Sequence, residues 1–482
     1  MQFLHRNGNT PTMDRNVTDF IQNRTFDEIQ VGDRAQLVRT LRPDDIHLFA
    51  IMSGDVNPTH VDTEFARSSQ FREVVGHSMW GSTLISTILG TEFPGPGTVY
   101  VSQGLNFHRP ITIGDTLTIT VTCREKFEHN HHIVLDCLAL NQDGLKVIDG
   151  VAEVQAPTEK IKRARIHLPE VTISDRELRY GHLLSITAGK APIPIAVAHP
   201  CDAESLRGPI QAAQAGLVIP VLVGPETKIR AVAEQEGIDL HGVRIIDVAH
   251  SHEAAETAVT LAREGQVEAL MKGSLHTDEL MSAVISKAGG LRTSRRISHV
   301  FMADVPTYPH PLLITDAAIN IEPTLEDKVD IIQNAIDLAH VMGLPEPKVA
   351  ILSAVETVTS KIRSTIDAAA LCKMADRGQI KGGLLDGPLA FDNAVSLVAA
   401  KTKGIRSLVA GNADILVVPD LESGNMVAKQ LEYLANALMA GVVLGARVPI
   451  VLTSRADTAE TRAASCAIAQ LIAHKKREAR LA

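Results

Sequence analysis

The spacing of apolar and polar positions changes along the chain, and the changes divide it. Residues 78–91 carry apolar side chains at helical spacing and predict the one clear helix of the first part. Leu117-Thr-Ile-Thr-Val-Thr-Cys123 then alternates apolar and hydroxyl side chains, the period of a half-buried strand. Residues 133–140 read as another strand, Asn141-Gln-Asp-Gly144 as a hairpin turn and Lys146–Gln155 as the returning strand. One helix against a long antiparallel sheet is α+β in character. Residues 1–20 are polar and irregular and read as a loose arm. The charged run Pro157-Thr-Glu-Lys-Ile-Lys-Arg-Ala-Arg165 reads as the opening of a solvated linker.

From about residue 191 strands and helices alternate. Strands are predicted at 193–198, 219–223, 244–248, 268–271, 349–352, 382–385, 415–418 and 449–453. Helices are predicted at 202–216, 226–236, 251–264, 325–342, 360–377, 425–439 and 458–475. Such alternation implies βαβ units and a parallel sheet. Roughly 300 residues of it is large for one sheet, so two lobes with a cleft between them are expected. The boundaries implied are an arm over 1–20, a first domain over 21–157, a linker over 158–184 and a second domain over 185–478.

Composition narrows the function classes. The 482 residues exceed what one core usually holds. Cys123, Cys137, Cys201, Cys372 and Cys466 are scattered, which argues against a disulfide framework or a zinc site and fits a reducing cytoplasm. A net charge of −9 with no long basic run argues against nucleic acid as the main partner. The N-terminus lacks the apolar core of a signal peptide. The apolar stretch 434–452 holds Asn436, Arg447 and Pro449, so it reads as a buried helix followed by a buried strand rather than a membrane span. GxxxxGK[ST] and GxGxxG are missing where a nucleotide fold would need them, and His252-Glu-Ala-Ala-Glu256 lacks the second histidine of a zinc helix. His129-Asn-His-His132 lies at a strand turn, where alternating faces keep the rings from one ion; no metal is expected.

The densest chemistry lies in Ser53-Gly-Asp-Val-Asn-Pro-Thr-His-Val-Asp62. The Asn-Pro pair starts a turn, so Asp55 and His60 can project from one loop and share a water. With Val75-Gly-His-Ser-Met-Trp-Gly-Ser-Thr83 and Gln103-Gly-Leu-Asn-Phe-His-Arg-Pro-Ile111 following, residues 26–156 resemble the MaoC-like (R)-specific enoyl-CoA hydratases. The resemblance implies a hot-dog fold, a sheet wrapped around a central helix, with Asp55 and His60 as the catalytic pair. It also implies that backbone N–H groups near His77 and Ser78 polarise a thioester carbonyl. Hydratases usually have Gly where Ser78 stands. Trp80, Met79 and Leu84 are candidates for the acyl pocket or for the core.

In open α/β sheets ligands gather beyond the carboxyl ends of strands. That rule selects Met271-Lys-Gly-Ser-Leu-His-Thr277, Gly289-Gly-Leu-Arg-Thr-Ser-Arg-Arg296, Pro419-Asp-Leu-Glu-Ser-Gly-Asn425 and Thr453-Ser-Arg-Ala-Asp457. Together they offer Lys272, Arg292, Arg295, Arg296 and Arg455 as cations for phosphate or CoA. These segments, with Ile297-Ser-His-Val300 and Asp386-Gly-Pro-Leu-Ala-Phe-Asp392, resemble the phosphate acetyl/butyryltransferases over residues 185–475. The resemblance implies two α/β lobes of the isocitrate dehydrogenase-like phosphotransacylase fold and acyl transfer between CoA and phosphate. It makes Ser454 and Arg455 the catalytic loop and Arg292 a phosphate ligand, with Lys272, Asn425 and Asp457 as further binding groups. Acetyltransferase members carry a basic Asp six residues beyond that Arg. Here Thr461 stands there, and Asp457 or Glu460 are the available carboxylates.

The fold class expected is therefore an α+β hot-dog domain followed by a two-lobed α/β domain, in a bifunctional cytoplasmic enzyme. CoA thioesters and phosphate are its substrates, with no other cofactor, and family habit implies a homo-oligomer. The alternatives are that one half is only a CoA-binding or oligomerisation module, or that the first half is a thioesterase or a dehydratase of another substrate.

Overall fold

A computed structural model describes residues 20–166, 168, 171, 173, 181, 184–453 and 457–481. The chain forms two compact units, residues 1–174 and 175–482.

In the first unit five strands form one antiparallel sheet, β2 (Arg34–Thr40), β4 (Thr116–Phe127), β5 (His132–Leu140), β6 (Lys146–Gln155) and β3 (Val99–Phe107), in that order. Among the described residues four α-helices precede β3: α1 (Pro43–Ser53), α2 (Pro58–Val61), α3 (Thr63–Ser68) and α4 (Ser78–Thr91). The first three were not foreseen. They are short, and α1 buries only Ile46 and Ala50, so the chain carries no long apolar stripe there. On α4, Trp80, Leu84, Ile85, Ile88 and Leu89 recur at helical spacing and pack into the core with Leu117, Ile119, Val121 and Cys123, the alternate residues of β4. Burying each such side chain is worth about 1.5–3 kcal/mol. Trp80 and Leu84 are thus core, whereas Met79 is exposed.

Lys162–Ala164, read as linker, is instead strand β7, and it pairs antiparallel with β1 (Phe20–Gln22). Asn23 fastens the return: its amide donates to the Glu159 carbonyl at 2.8 Å and its Oδ1 accepts from the Ile161 N–H at 2.9 Å.

The second unit is built on one continuous sheet of eleven strands, not two sheets. From one edge they run β10 (Arg244–Asp247), β9 (Val218–Gly224), β8 (Ile193–Ala198), β11 (Ala269–Lys272), β18 (Ile450–Val451), β17 (Leu438–Leu444), β12 (Ser298–Asp304), β13 (Leu312–Thr315), β16 (Ile415–Val417), β14 (Lys348–Leu352) and β15 (Leu384–Leu389). The helices whose full spans are described are α5 (Ala203–Gln214), α6 (Glu226–Glu236), α7 (Ser251–Arg263), α8 (Thr277–Ile285), α9 (Leu325–Val341), α10 (Arg363–Asp376), α11 (Phe391–Val395), α12 (Leu397–Thr402), α13 (Leu421–Leu434) and α14 (Ala459–Leu481). Both flanks of the sheet are parallel, but β18, β17, β12 and β13 pair antiparallel. The apolar run Leu438–Leu444, of which Leu438 and Met439 were read as the end of a helix and the rest was given no strand, is strand β17.

This arrangement fixes where ligands can gather. Val451 pairs with Val442, Val442 with Val300, and Val300 with Thr315. The last residues of β18 and β13 therefore lie on one rung, reached from opposite directions. It is a topological switch, the place where open sheets bind ligands. Among the described residues no helix is long and apolar enough to cross a membrane.

Candidate active sites

In the first unit, α1 stops at Gly54 (φ 75°) and the chain enters the predicted turn. Asn57 caps α2 by accepting from the Thr59 N–H at 3.1 Å, and Pro58 occupies the first helical turn. Asp55 Oδ1 in turn accepts from the Asn57 N–H at 3.2 Å. His60 sits at the end of this turn, and its Nδ1 meets the Val75 carbonyl at 2.7 Å. A carbonyl only accepts, so Nδ1 carries the hydrogen and Nε2 is left with its lone pair, the form of a base.

His77 joins the pair. Its Nε2 donates to the Asp55 carbonyl at 3.0 Å and lies 4.0 Å from Asp55 Oδ2. Its ring stacks on His60 (centroids 4.0 Å apart) and on Phe49 (4.7 Å). The Asp55 side chain is half exposed and that of His77 is 2% exposed, so a solvent-facing carboxylate is braced by a buried ring. One ligand atom from each of Asp55, His60 and His77 falls within 4.8 Å of the others. That separation suits a shared water and is also one a cation would accept. Ser78 is exposed at the first position of α4, where backbone N–H groups have no acceptor within the helix. His129, His131 and His132 do not converge: His132 bonds Glu153 at 2.8 Å, while His131 packs on Phe26 and His129 on Phe127.

In the second unit, Ser454 and Arg455 lie outside the described residues; their neighbours define the place. Lys272, buried at the end of β11, donates to the Thr453 carbonyl at 3.4 Å. The Arg462 guanidinium, from the fourth residue of α14, donates to Thr453 Oγ1 at 2.8 Å. Burial lowers the proton affinity of Arg462, and Asp457, Asp202 and Glu204 oppose that loss. Asp457 is buried, with Lys429 of α13 at 3.9 Å. Burial works against the charge on Lys429, but Glu432 and Asp457 outweigh it and hold its pKa above the ordinary lysine value. Asn425 stands one turn before Lys429 on α13 and donates to the Ala317 carbonyl at 3.4 Å. Lys272, Asn425 and Asp457 thus surround the exit of β18 together with two cations the sequence reading missed. Lys429 had a signal, the i, i+4 spacing from Asn425. Arg462 had only its place just past Thr461.

Among the described residues, Arg292, Arg295 and Arg296 are not brought to Lys272, and Arg455 lies outside them. Arg292 pairs through its backbone with Ala446, beyond the far end of β17 from the Leu452 rung. From Gly441 to Leu444 alone is about 10 Å of strand. Arg295 is bound to Asp337, and Arg296 to Asp327 (3.2 Å) and Asn320 (2.8 Å). The charges of Arg295 and Arg296 are spent on ion pairs within the fold. A cavity of about 490 Å³ opens beside Arg295, Asp337, His340 and Lys475, and none of the predicted site residues other than Arg295 lines it. Thr461 is buried, with its N–H and hydroxyl 3.3 Å from Thr458 Oγ1.

The chain matches the family model "Phosphate acetyl/butaryl transferase" over residues 251–470 and "MaoC like domain" over 27–136. It is 63% identical over 304 residues to a phosphate acetyltransferase of Rhizobium meliloti, which covers 63% of this chain and 96% of that protein. Among solved structures, a branched-chain phosphotransacylase from Enterococcus faecalis V583 is 29% identical with a TM-score of 0.52, covering 58% of this chain and 99% of the other. An R-hydratase from Pseudomonas aeruginosa is 37% identical with a TM-score of 0.31, covering 32% and 99%.

Proposed function

The chain belongs to the phosphate acetyltransferase family through its second unit and carries a MaoC-like domain in its first, and from that premise we propose a bifunctional acyl-CoA enzyme. The first unit hydrates a 2-enoyl-CoA to an (R)-3-hydroxyacyl-CoA. The second moves an acyl group between CoA and phosphate. The first unit is read as a hot-dog fold and the second as the isocitrate dehydrogenase-like phosphotransacylase fold.

The observation that carries the hydratase reading is the 2.7 Å contact of His60 Nδ1 with the Val75 carbonyl, which leaves Nε2 free to accept beside Asp55. Nε2 and the Asp55 carboxylate hold a water between them and take its proton as its oxygen bonds to C3. The proton returns to C2, so the product is the enoyl thioester plus one water. Backbone N–H groups at the start of α4 hold the thioester oxygen as charge develops there.

The transferase reading rests on the relatives and on the cations around the exit of β18. A CoA thiolate attacks the acyl phosphate carbonyl, the C–O bond to phosphate breaks, and Lys272 with Arg455 neutralises the leaving group. Asp457, the buried carboxylate of that loop, is the acceptor proposed for the thiol proton, in place of the Asp that Thr461 replaces. Because Thr461 lacks that carboxylate, the second reading is a transferase unit that binds CoA without turning it over.

The test is a substrate panel of crotonyl-CoA, acetyl phosphate and butyryl phosphate. Asp55→Asn and His60→Gln should each lower hydration about 10²–10⁴-fold with acyl transfer intact, and Arg455→Ala should do the reverse. Wild-type hydration in both first-unit variants ends the hydratase assignment. Absence of phosphate-dependent transfer in the unaltered chain selects the CoA-binding reading.

A further inference from the structure

His299, on β12, has no exposed surface, and among the described residues the Leu452 main chain is the one hydrogen-bonding group that acts on its ring, without the geometry of a well-formed bond. Buried polar groups are normally paired, and an imidazole in this position is costly unless its nitrogens are used. No step described so far uses it.

Its position is specific. Strand β17 separates β12 from β18. His299 pairs with Val443, and Gly441 lies two residues along β17 on the same face. A Cβ on Gly441 would stand 2.9 Å from His299 Nε2 and 2.7 Å from the Leu452 carbonyl oxygen. The missing side chain leaves one opening, in which a ring nitrogen and that carbonyl face each other across the intervening strand. The Gly441 N–H is itself fixed from below by Ser465 Oγ at 2.9 Å.

Asp316 follows directly on Thr315, whose hydroxyl donates to the His299 carbonyl at 2.8 Å. Its carboxylate is held by the N–H groups of Ala318, Ile319 and Asn320 and by the Asn320 amide. The same Asn320 amide accepts from Arg296. Carboxylate, imidazole and carbonyl therefore form a row along the switch rung, from the end of β13 to the exit of β18. Burial pushes His299 down to about 4, with Asp316 and the Leu452 carbonyl opposing it, so near neutral pH the ring is uncharged and has one N–H to give.

We propose that His299 is a positioning residue of the transferase site: it donates to the Leu452 carbonyl through the opening over Gly441 and so sets the exit of β18, from which Thr453, Ser454 and Arg455 follow. The assignment to the transferase rests on the function proposed above. The positioning itself does not, and the experiment separates the two.

Four full-length chains are compared: the unaltered protein, His299→Leu, His299→Gln and Gly441→Ala. His299→Leu fills the space without a donor and should lower kcat for transfer from acetyl phosphate to CoA by roughly tenfold or more. KM for CoA should change much less, and crotonyl-CoA hydration should be unaffected. His299→Gln keeps a donor and should recover most of the loss. Gly441→Ala, which keeps the histidine in the sequence but places a methyl group 2.9 Å from its Nε2 and closes the opening, should resemble His299→Leu. Amide exchange over residues 450–453 should rise in His299→Leu and Gly441→Ala while the flanking strands keep their protection. Unchanged exchange over that segment overturns the proposal whatever the rates, as does a loss of activity matched by faster exchange across the whole sheet. If the unaltered chain transfers no acyl group, the acyltransferase reading fails, and local exchange alone decides the role of His299.

Discussion

The hydrogen bond from His60 to Val75 and the one from His77 to Asp55 make the same chemical statement from opposite sides: each ring spends one nitrogen on a backbone carbonyl. Asp55 and His60 were legible in the sequence because Asn57-Pro58 forces a turn between them. His77 was legible only as a backbone donor; its stacking on His60 depends on residues 75–77 reaching α2 from a distance in sequence. His299 lay within Ile297-Ser-His-Val300, which carried the resemblance but no role for the ring, since a single histidine in an apolar run looks like any core residue. It nevertheless has a measurable consequence at this scale. Burial depresses its pKa from 6.5 to about 4, against the pull of Asp316 and the Leu452 carbonyl, with the Phe301 ring 4.3 Å away. As pH falls past 6.5 the unfolded chain takes up a proton that the folded chain refuses until about 4. The contribution to stability is therefore intact above the unfolded value and is lost on acidification through that window, by at most about 1.4 kcal/mol per pH unit. Urea unfolding of the second unit across the window should show this slope, and His299→Gln should flatten it. An identical slope in the two proteins would mean that His299 does not stay neutral when buried.

Elements whose pattern is local were readable, and those defined by their neighbours were not. Glu226–Glu236 and Ser78–Thr91 match their predicted spans because amphipathic spacing needs no partner. Strand β17 was misread because Leu-Met-Ala-Gly-Val-Val-Leu is a short unbroken apolar run, which suits a buried helix end as well as a strand buried on both faces. With β12 and β13 also unseen, the antiparallel centre of the sheet was hidden, and with it the rung where both sets of carboxyl ends meet. In the first unit the edge strand β3 shows how much one residue can carry for an element. A Cβ on Gly150 of β6 would stand 2.0 Å from the Gly104 carbonyl oxygen and 2.9 Å from Leu105 Cα, both backbone atoms of β3. Backbone cannot move aside as a side-chain tip can. Gly150→Ala should therefore cost more than about 2 kcal/mol and free β3 from the sheet. Amide exchange of Val99–Phe107 should accelerate while β4 and β5 remain protected. Protection of β3 equal to that of the unaltered protein would show that the sheet relaxes around the methyl group.

At the scale of the whole chain, the two units have separate cores and separate candidate sites, so they should work apart, provided the cut respects the long-range pairs. The motifs place the end of the first domain near residue 157, but its fold does not end there. Strand β7 pairs with β1, Asn23 bonds both Glu159 and Ile161, and Arg165 reaches Glu92 at 3.1 Å. The second unit has its own early attachment: Gln470 donates to the Ala191 carbonyl at 3.1 Å, and His474 meets the same carbonyl at 2.8 Å. A division after Ser174 leaves both sets intact. The resulting fragments should each unfold cooperatively, the first retaining crotonyl-CoA hydration and the second the acetyl phosphate reaction at rates within a few-fold of the full chain. A first fragment ending at Pro157 should melt lower, because it loses a strand pair and two side-chain bonds to Asn23, each such bond being worth about 0.5–1.5 kcal/mol. Equal melting of the fragments ending at 157 and 174 would show that residues 158–165 are a linker after all, and loss of either activity on division after Ser174 would show that the two units depend on each other.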